Sequence, residues 1–143
     1  MKKTKPLVQL IIYTFLQCTW GILQTLAGLL VFLLNITSSH DYYHGAVRTL
    51  WPVKSGLSLG LFIFIPVDCS KKISEKLSVH EYGHTLQSLV LGPLYLPMIG
   101  LPSFIWYLMY SMSKKKKGNS YYDFFIEKWA DVWGEKILRY NLF

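Results

Sequence analysis

The sequence predicts a mainly α-helical fold with a small β hairpin, whose helices are embedded in a membrane. Hydrophobic residues make up 52% of the 143 residues, and aromatic residues make up 16%. The mean hydropathy is positive, at +0.28, so the chain is more apolar than an average soluble domain. A chain of 143 residues has room for one folded unit. We therefore predict a single domain over residues 1–143.

The basic residues favour a membrane partner over a nucleic acid. A net charge of +7 suits either partner. However, Lys2, Lys3 and Lys5 precede one apolar run, and the four lysines of residues 114–117 follow another. Lysines at the ends of apolar runs are typical of membrane flanks. We expect contact with a lipid membrane and no nucleic acid partner.

The first apolar run, from Leu7 to Leu34, contains no charged residue. As one helix it would be ~42 Å long, more than the ~30 Å hydrocarbon core of a bilayer. It therefore predicts a membrane helix within residues 1–36, which is retained because a signal peptide has a shorter apolar core. A stripe of small and polar residues recurs along it at helical spacing: Thr14, Gln17, Gly21, Gln24 and Gly28. The stripe should face protein and predicts a helix–helix partner; alternatively, the run is a plain anchor whose glutamines pair incidentally.

Two short segments follow this run. Residues 36–43 are polar and aromatic, which is typical of a membrane interface. In residues 46–66, apolar residues alternate with other residues between Pro and Gly breaks, which predicts a hairpin or a pair of edge strands.

The second half of the chain has helical character. Asp68 and Ser70 are candidate N-caps for a helix over residues 70–91, which Gly92 and Pro93 would end. Residues 92–113 contain no charged residue but are interrupted by Gly and Pro, so we predict a re-entrant segment rather than a spanning helix. Residues 121–143 predict an amphipathic C-terminal helix.

The helix over residues 70–91 carries an HExxH motif at His80–His84. Residues four apart share a helix face, so both imidazoles can reach one Zn²⁺ ion while Glu81 overhangs the adjacent coordination position. Zinc lowers the pKa of a bound water, and Glu81 would accept its proton as the general base for attack on a carbonyl. In the alternative, Ser78 and Glu81 form a capping box at a helix start.

A third metal ligand is predicted in the C-terminal helix. Glu127 and Asp131 are four residues apart and share a face. Glu127 could complete the metal sphere, and Asp131 could accept a hydrogen bond from the far nitrogen of a ligand imidazole. Ala130 is small enough to let the two helices approach closely. In the alternative, the two carboxylates lie on a solvated face and pair with nearby lysines.

The combination of motifs resembles a known clan of enzymes. HExxH followed by E-x-x-A-D-x-x-G, here from Glu127 to Gly134, is similar to the gluzincin metallopeptidases, which include thermolysin-like enzymes and membrane-bound prenyl-protein endopeptidases. The chain also resembles uncharacterised small bacterial membrane proteins that carry a segment like His80–Ser88 followed by Leu91–Pro93. The resemblance implies an active-site helix, a glutamate-bearing helix, and an edge strand, here within residues 56–65, that pairs with extended substrate.

The resemblance also implies a Tyr or His that stabilises the oxyanion, for which Tyr121 and Tyr122 are the candidates. The chain departs from thermolysin-like enzymes in the long apolar insertion between His84 and Glu127, and in the absence of a lower subdomain. Because the three ligands must lie at one membrane depth, residues 92–113 must enter and return on the same side.

Together, these features predict an integral membrane protein, located in a bacterial cell membrane, that is a zinc metalloendopeptidase acting on a peptide or protein substrate. The predicted architecture is a minimal zincin-like pair of active-site helices surrounded by membrane-embedded helices. Two alternatives stay open at this point. One is a non-catalytic membrane protein with a structural metal site or none. The other is a helical subunit of a larger membrane complex.

Overall fold

The computed structural model of the protein describes residues 6–112 and 125–140. Its fold is mostly helical, with one small mixed sheet, so the predicted mainly α fold with a small β part is confirmed. The helices are α1 (Leu7–Thr19), α2 (Ile22–Leu34), α3 (Lys71–Leu91), α4 (Leu101–Met112) and α5 (Phe125–Tyr140). The strands are β1 (His40–Tyr43), β2 (Ala46–Trp51), β3 (Leu57–Leu59) and β4 (Phe62–Pro66).

The first apolar run is not the single helix that we predicted. It forms α1 and α2, which meet at an angle of 93° around Trp20 and Gly21. Within the described residues, no single helix is both long and apolar enough to cross a membrane, although this bent pair passes the same test when taken together. The prediction failed because the absence of charged residues from a segment indicates only that the segment lies in apolar surroundings. It does not report on whether a helix continues through a Gly.

The four strands form one sheet in the order β1-β2-β4-β3. The predicted hairpin is present as β3 and β4, which pair antiparallel through a two-residue turn at Gly60 and Leu61. Gly60 has a φ of +59°, at the first turn position, where a type II′ turn requires Gly. The prediction of edge strands alone was incomplete, because β2 pairs with β4 in parallel.

Strand β1 lies in the segment for which we predicted a membrane interface, and that location stays a prediction. It pairs antiparallel with β2, with Asp41 opposite Arg48. The Arg48 guanidinium binds Asp41 through Nε, at 2.8 Å from Oδ1, and through Nη2. A polar strand is tolerated at this position because β1 is the edge of the sheet.

Helices cover both faces of the sheet, which explains why every residue of β4 is buried. On one face, Phe62 stacks against Phe32 of α2, with ring centroids 5.3 Å apart. On the other face, Ile63 packs in a cluster with Tyr82 of α3 and Tyr13 of α1. The sheet therefore forms the layer that holds α3 in place.

Helix α3 begins and ends close to the predicted positions. The Ser70 side chain caps it by accepting a hydrogen bond from the Ile73 N–H at 3.3 Å. The helix ends at Leu91, before Gly92, whose φ is +53°. The alternative capping box at Ser78 is wrong, because Ser78 lies inside the helix and donates to the Ser74 carbonyl at 2.8 Å.

The segment after α3 is interrupted as predicted, but only at its start. A 3₁₀ turn spans Gly92–Leu94, and a π-helical segment at Leu96–Gly100 continues directly into α4. Pro97 is tolerated because it lies in the first turn of this segment, where an N–H group would have no partner within the helix. Whether this segment is re-entrant with respect to a membrane stays a prediction.

Candidate active site

Helices α3 and α5 touch backbone to backbone beside the HExxH motif. A Cβ atom on Gly83 would overlap the carbonyl oxygen of Ala130. Ala130 is completely buried, so the close approach that we predicted for this residue is present. One turn further along, a Cβ atom on Gly134 would likewise overlap the Val79 carbonyl. Glycine at both contacts allows side chains of the two helices to meet at short range.

His80 and His84 lie side by side on the buried face of α3. Their side chains are 3% and 6% exposed. The ring centroids are 4.9 Å apart and the ring planes are perpendicular. The one-turn spacing therefore brings two imidazoles together, as the motif predicted.

Asp131 of α5 is in contact with the first imidazole. Its Oδ1 atom lies 2.8 Å from His80 Nδ1. Because an ionised carboxylate can only accept, Nδ1 carries the proton, and in the neutral ring Nε2 then carries the lone pair that a metal ion requires. This is the contact that we predicted from the spacing of the C-terminal helix.

Gln87 is the acceptor that orients the second imidazole. Its Oε1 atom lies 2.7 Å from His84 Nδ1, and the Gln87 side chain is completely buried. The amide oxygen accepts from Nδ1, which selects the same tautomer in His84 as in His80. We did not predict this role for Gln87. Gln87 lies three residues after His84 on the same helix face, and this spacing could have predicted the contact.

Glu81 lies between α3 and the segment that leads into β3. Its side chain is 6% exposed. A Cβ atom on Gly56 would overlap its Oε1 atom and would lie only 2.9 Å from its Cδ atom. Gly56 therefore leaves space for the carboxylate of the predicted general base at the edge of the sheet.

The remaining predicted site residues lie outside the described side chains. Glu127 belongs to α5, one turn before Asp131, but its side chain is not among those that the structure describes. Tyr121 and Tyr122 lie outside the described residues. Within the part of the chain that the structure describes, no group of three or more His, Cys, Asp or Glu is arranged to hold a metal ion. The third-ligand role of Glu127 and the oxyanion role of either tyrosine therefore stay predictions.

Glutamines from the N-terminal helices support the other side of α3. Gln17 Nε2 donates to the Thr85 carbonyl at 3.1 Å. Gln24 Nε2 donates to Ser88 Oγ at 2.7 Å and to the Gly92 carbonyl at 2.9 Å. Ser88 Oγ in turn donates to Gln17 Oε1 at 3.2 Å. We call Gln17, Gln24 and Ser88 the amide cluster.

The amide cluster accounts for most of the predicted small and polar stripe. Gln17, Gly21, Gln24 and Gly28 are buried, and Gly28 packs against Leu59 of β3. Thr14 is exposed. The stripe therefore faces protein within this chain, and a separate helix–helix partner stays a prediction.

Tyr82 anchors the side of α3 that faces the sheet. The side chain is completely buried, and its hydroxyl donates to the His44 carbonyl at 3.2 Å. Burial raises the pKa of the Tyr82 hydroxyl above its usual value, so the group is neutral at physiological pH. Arg48 also ties the sheet to α3, because its Nη1 donates to Ser78 Oγ at 3.1 Å.

A cavity of about 690 Å³ opens beside His80, Glu81 and His84. The β2–β3 connection with β3 lines one part of the cavity, and residues between Tyr95 and Tyr107 line another. The lining is mostly apolar and aromatic: Trp51, Val53, Leu57, Leu59, Ile73, Leu77, Tyr95, Leu96, Phe104 and Tyr107. This volume is in the range of small-molecule and peptide side-chain sites.

The described residues fit a zinc ion in the chemistry of their donors. Two imidazoles with ring centroids 4.9 Å apart have the same tautomer, and each is fixed by a side-chain acceptor on its Nδ1 atom. Orienting acceptors of this kind are what zinc-binding histidines have in proteins. No protein-family model, curated protein or solved structure matches this chain.

Proposed function

We propose that the protein is an integral membrane, zinc-dependent metallopeptidase, of gluzincin-like type, that hydrolyses peptide bonds in a peptide or protein substrate. One observation carries the proposal. His80 and His84, each fixed at Nδ1 by a side-chain acceptor, lie next to Glu81 at the wall of an open cavity.

Each residue of the site has a defined task in this proposal. His80 and His84 hold the ion together with Glu127, and Asp131 and Gln87 keep the imidazoles in the required tautomer. When bound, zinc supplies Lewis acidity that acidifies water and polarises the scissile carbonyl.

Glu81 moves the proton. Its carboxylate accepts a proton from the attacking water and delivers it to the nitrogen of the leaving amine. The space left by Gly56 allows the carboxylate to stay between α3 and the substrate wall of the cavity.

Strand β3 offers a place for an extended substrate. It is the last strand of the sheet, and it borders the cavity. An edge strand can pair with an added peptide through main-chain hydrogen bonds, which would align the peptide with Glu81.

A catalytic site accounts for the cavity better than a structural metal site does. Structural zinc sites are closed, with four protein ligands, whereas catalytic sites keep a position open for water or substrate. His80, Glu81 and His84 all line the cavity, so a molecule that enters it reaches the imidazoles directly.

The apolar surface supports a membrane location. Large apolar side chains of α1, α2 and α4 are exposed, with exposed fractions of 71% for Leu7, 64% for Phe15, 61% for Leu30 and 61% for Met109. Many others on the same helices are exposed as well: Val8, Ile11, Ile12, Leu23, Leu26, Leu33, Leu34, Leu101, Phe104, Ile105 and Leu108. So many exposed large apolar side chains are unusual on a soluble monomer and favour contact with lipid.

Zinc analysis combined with hydrolysis tests the proposal. We expect purified protein to carry one zinc per chain, Glu81→Gln to keep it, and His84→Ala and Glu127→Ala to lose it. The Glu81→Gln variant should hydrolyse peptides at least about 10²-fold more slowly, the smallest factor typical of a general base.

Glu75→Gln is the matched control, because Glu75 lies on α3 away from the cavity and binds Arg48 at the helix surface. It should keep both zinc and activity. A parent protein without zinc, or a Glu81→Gln variant as active as the parent, would contradict the proposal.

A further inference from the structure

The two ends of the α1–α2 pair lie beside the same short strand, β1. At the start of α1, Leu10 and Tyr13 pack on the β1–β2 turn, where a Cβ atom on Gly45 would lie 3.2 Å from Leu10 Cδ2 and 3.1 Å from Tyr13 Cδ1. At the end of α2, the Ile36 carbonyl accepts a hydrogen bond from His40 Nε2 of β1 at 3.0 Å. The apolar segment therefore leads away from β1 along α1 and returns to it along α2.

Contacts with the rest of the protein fix the bend between α1 and α2. Thr25 Oγ1 of α2 donates to the Gln17 carbonyl of α1 at 2.7 Å and accepts from the Leu61 N–H of the β3–β4 turn at 3.3 Å. Trp20, in the bend, packs on the end of α3, where a Cβ atom on Gly92 would overlap its indole ring. Straightening the pair into one helix would break these contacts. The bent form is therefore part of the folded protein.

The bend is far from a charged cluster at the start of α3. Asp41 of β1, whose side chain is 52% exposed, binds Arg48, and Arg48 also binds Glu75 of α3. From Glu75 to Gly92, at the bend, the distance along α3 is ~25 Å at 1.5 Å per residue. Residues 85–113 contain no charged residue. The end of α3 that contacts the bend is therefore apolar, and the opposite end is charged.

The outward surface of the pair is apolar, and its size fits half a bilayer. The large apolar side chains that are exposed on α1 and α2 include Leu7, Val8, Ile11, Ile12, Phe15, Leu23, Leu26, Leu30, Leu33 and Leu34. Each helix has 13 residues, which gives a length of ~20 Å. Two such helices at about a right angle, with both outer ends at the membrane surface, reach ~14 Å deep. The hydrocarbon layer of one leaflet is ~15 Å thick.

We propose that α1 and α2 form a re-entrant wedge in a single leaflet of the membrane, with both outer ends on the same side and the bend near the bilayer midplane. This inference rests on the proposed membrane location and is independent of peptide hydrolysis. The partner of the apolar surface is the acyl chains of that leaflet, because the transfer of exposed apolar side chains from water into hydrocarbon is favourable.

The wedge sets the depth of the candidate active site. Helix α3 runs from its charged start to the level of the bend, and His80 and His84 lie between these two ends. The site is therefore close to the membrane surface, on the side that carries both outer ends of the wedge. The ion pair of Asp41 with Arg48 stays outside the hydrocarbon, where charged groups are costly.

Cysteine labelling in bacterial spheroplasts tests which side each end of the wedge faces. Cys18→Ser and Cys69→Ser remove the two native thiols. In that background, Gln9→Cys places a thiol at the start of α1 and Ser39→Cys places one just before β1, and both positions are exposed. A membrane-impermeant maleimide should label both variants under the same condition, either in intact spheroplasts or only after lysis. Labelling of the two positions from opposite sides would overturn the inference.

The native Cys18 measures the depth of the bend, because it is exposed in the last turn of α1. In Cys69→Ser protein reconstituted in phosphatidylcholine vesicles, a bimane group on Cys18 should be quenched more strongly by a nitroxide on the lipid acyl chain than by one on the headgroup. The Ser39→Cys protein without native thiols is the matched control and should show the reverse order. Stronger headgroup quenching at Cys18 would place the bend at the surface and contradict the wedge.

Flotation of the parent protein with the same vesicles separates this inference from the proposed function. A parent that does not float would refute both the membrane location and the wedge. A protein that floats, but whose Gln9 and Ser39 positions react from opposite sides, keeps the membrane location and loses the wedge. Labelling from one side together with a deep Cys18 would uphold the wedge even in a protein that never hydrolyses peptides.

Discussion

Two different kinds of interaction hold the two sides of α3. On the α5 side, glycine and alanine let the backbones touch, with Gly83 against the Ala130 carbonyl, and the ionisable Asp131 reaches His80. On the side of α1 and α2, neutral amides of Gln17 and Gln24 bind α3 through hydrogen bonds. The first contact depends on shape and brings a carboxylate to His80, whereas the second depends on hydrogen bonds donated by the amide groups and fixes the position of α3.

The two imidazoles reflect the same difference. His80 is oriented by a carboxylate from a distant helix, and His84 is oriented by the Gln87 amide of its own helix. Only the first depends on the docking of α5. The predictions below separate the α5 contact from the supports on the other side.

Gly83→Ala should have the largest effect. The added methyl group would overlap the Ala130 carbonyl oxygen, which is backbone and cannot move aside without displacing α5. We expect a loss of about 3 kcal/mol in the free energy of unfolding, the upper part of the usual range for overpacking. Chemical denaturation in detergent measures this loss, and zinc should be lost with it.

Gly100→Ala is the control for this substitution. The nearest atom to its added Cβ would be Leu96 Cδ2 at 3.5 Å, an ordinary contact. If Gly83→Ala were as stable as Gly100→Ala, the tight contact between α3 and α5 would not exist.

Asp131→Ala should weaken zinc binding about 100-fold, and Gln87→Ala about tenfold, the two ends of the range for residues that orient metal ligands. The difference arises because a carboxylate increases the basicity of its imidazole more than a neutral amide does. Competition with a chromophoric chelator measures both affinities. Equal losses in the two variants would show that charge on the α5 side has no special effect.

Gln24→Leu should destabilise the fold without changing zinc affinity. The substitution removes the two hydrogen bonds that Gln24 Nε2 donates to Ser88 Oγ and to the Gly92 carbonyl, which keep Gln17 Oε1 and the Tyr95 N–H as their remaining partners. We expect a loss of about 2 kcal/mol in the free energy of unfolding. Thr14→Leu is the control, because Thr14 is exposed, and it should be neutral. A large change in zinc affinity would mean that the amide cluster does more than hold α3.

Tyr43→Phe should have the smallest effect, and only at alkaline pH. Burial, and then the nearby Glu75, raise the pKa of Tyr43 to about 12, against 10.0 for the free side chain. The folded state therefore keeps the proton more tightly, and this contribution to stability is present below pH 10 and is lost as the pH rises towards 12. The stability of Tyr43→Phe relative to the parent should increase across that interval, as measured by denaturation at a series of pH values. A constant difference from pH 8 to 12 would contradict the assigned shift.

Local patterns predicted the elements that depend on local chemistry. The cap at Ser70 and the stop at Gly92 delimit α3 because capping and termination are decided by neighbouring residues. The one-turn spacing of His80 and His84 placed two imidazoles together for the same reason. The contact of Asp131 with His80 was predicted from the four-residue spacing of Glu127 and Asp131, together with the small Ala130 that lets the two helices approach closely.

Features that depend on distant partners were missed. The break between α1 and α2 places Gln17 and Gln24 on the same part of α3, and no local rule reports that α3 will be there. The parallel pairing of β2 with β4 likewise joins segments across the intervening β3. Strand β1 was not predicted, because a polar strand at the edge of a sheet lacks the apolar alternation that indicates a strand.

By itself, the sequence determined three features: the helix that carries HExxH, the face that its imidazoles share, and the helical character of the C-terminal segment. These features follow from periodicity, caps and spacing within one element. Tertiary structure alone decided that glutamines of α1 and α2 support α3 and that β2 pairs with β4 in parallel. The physical reason is that a buried polar group gains stability only from the partner it meets, and that partner comes from the packing of segments far apart in the chain.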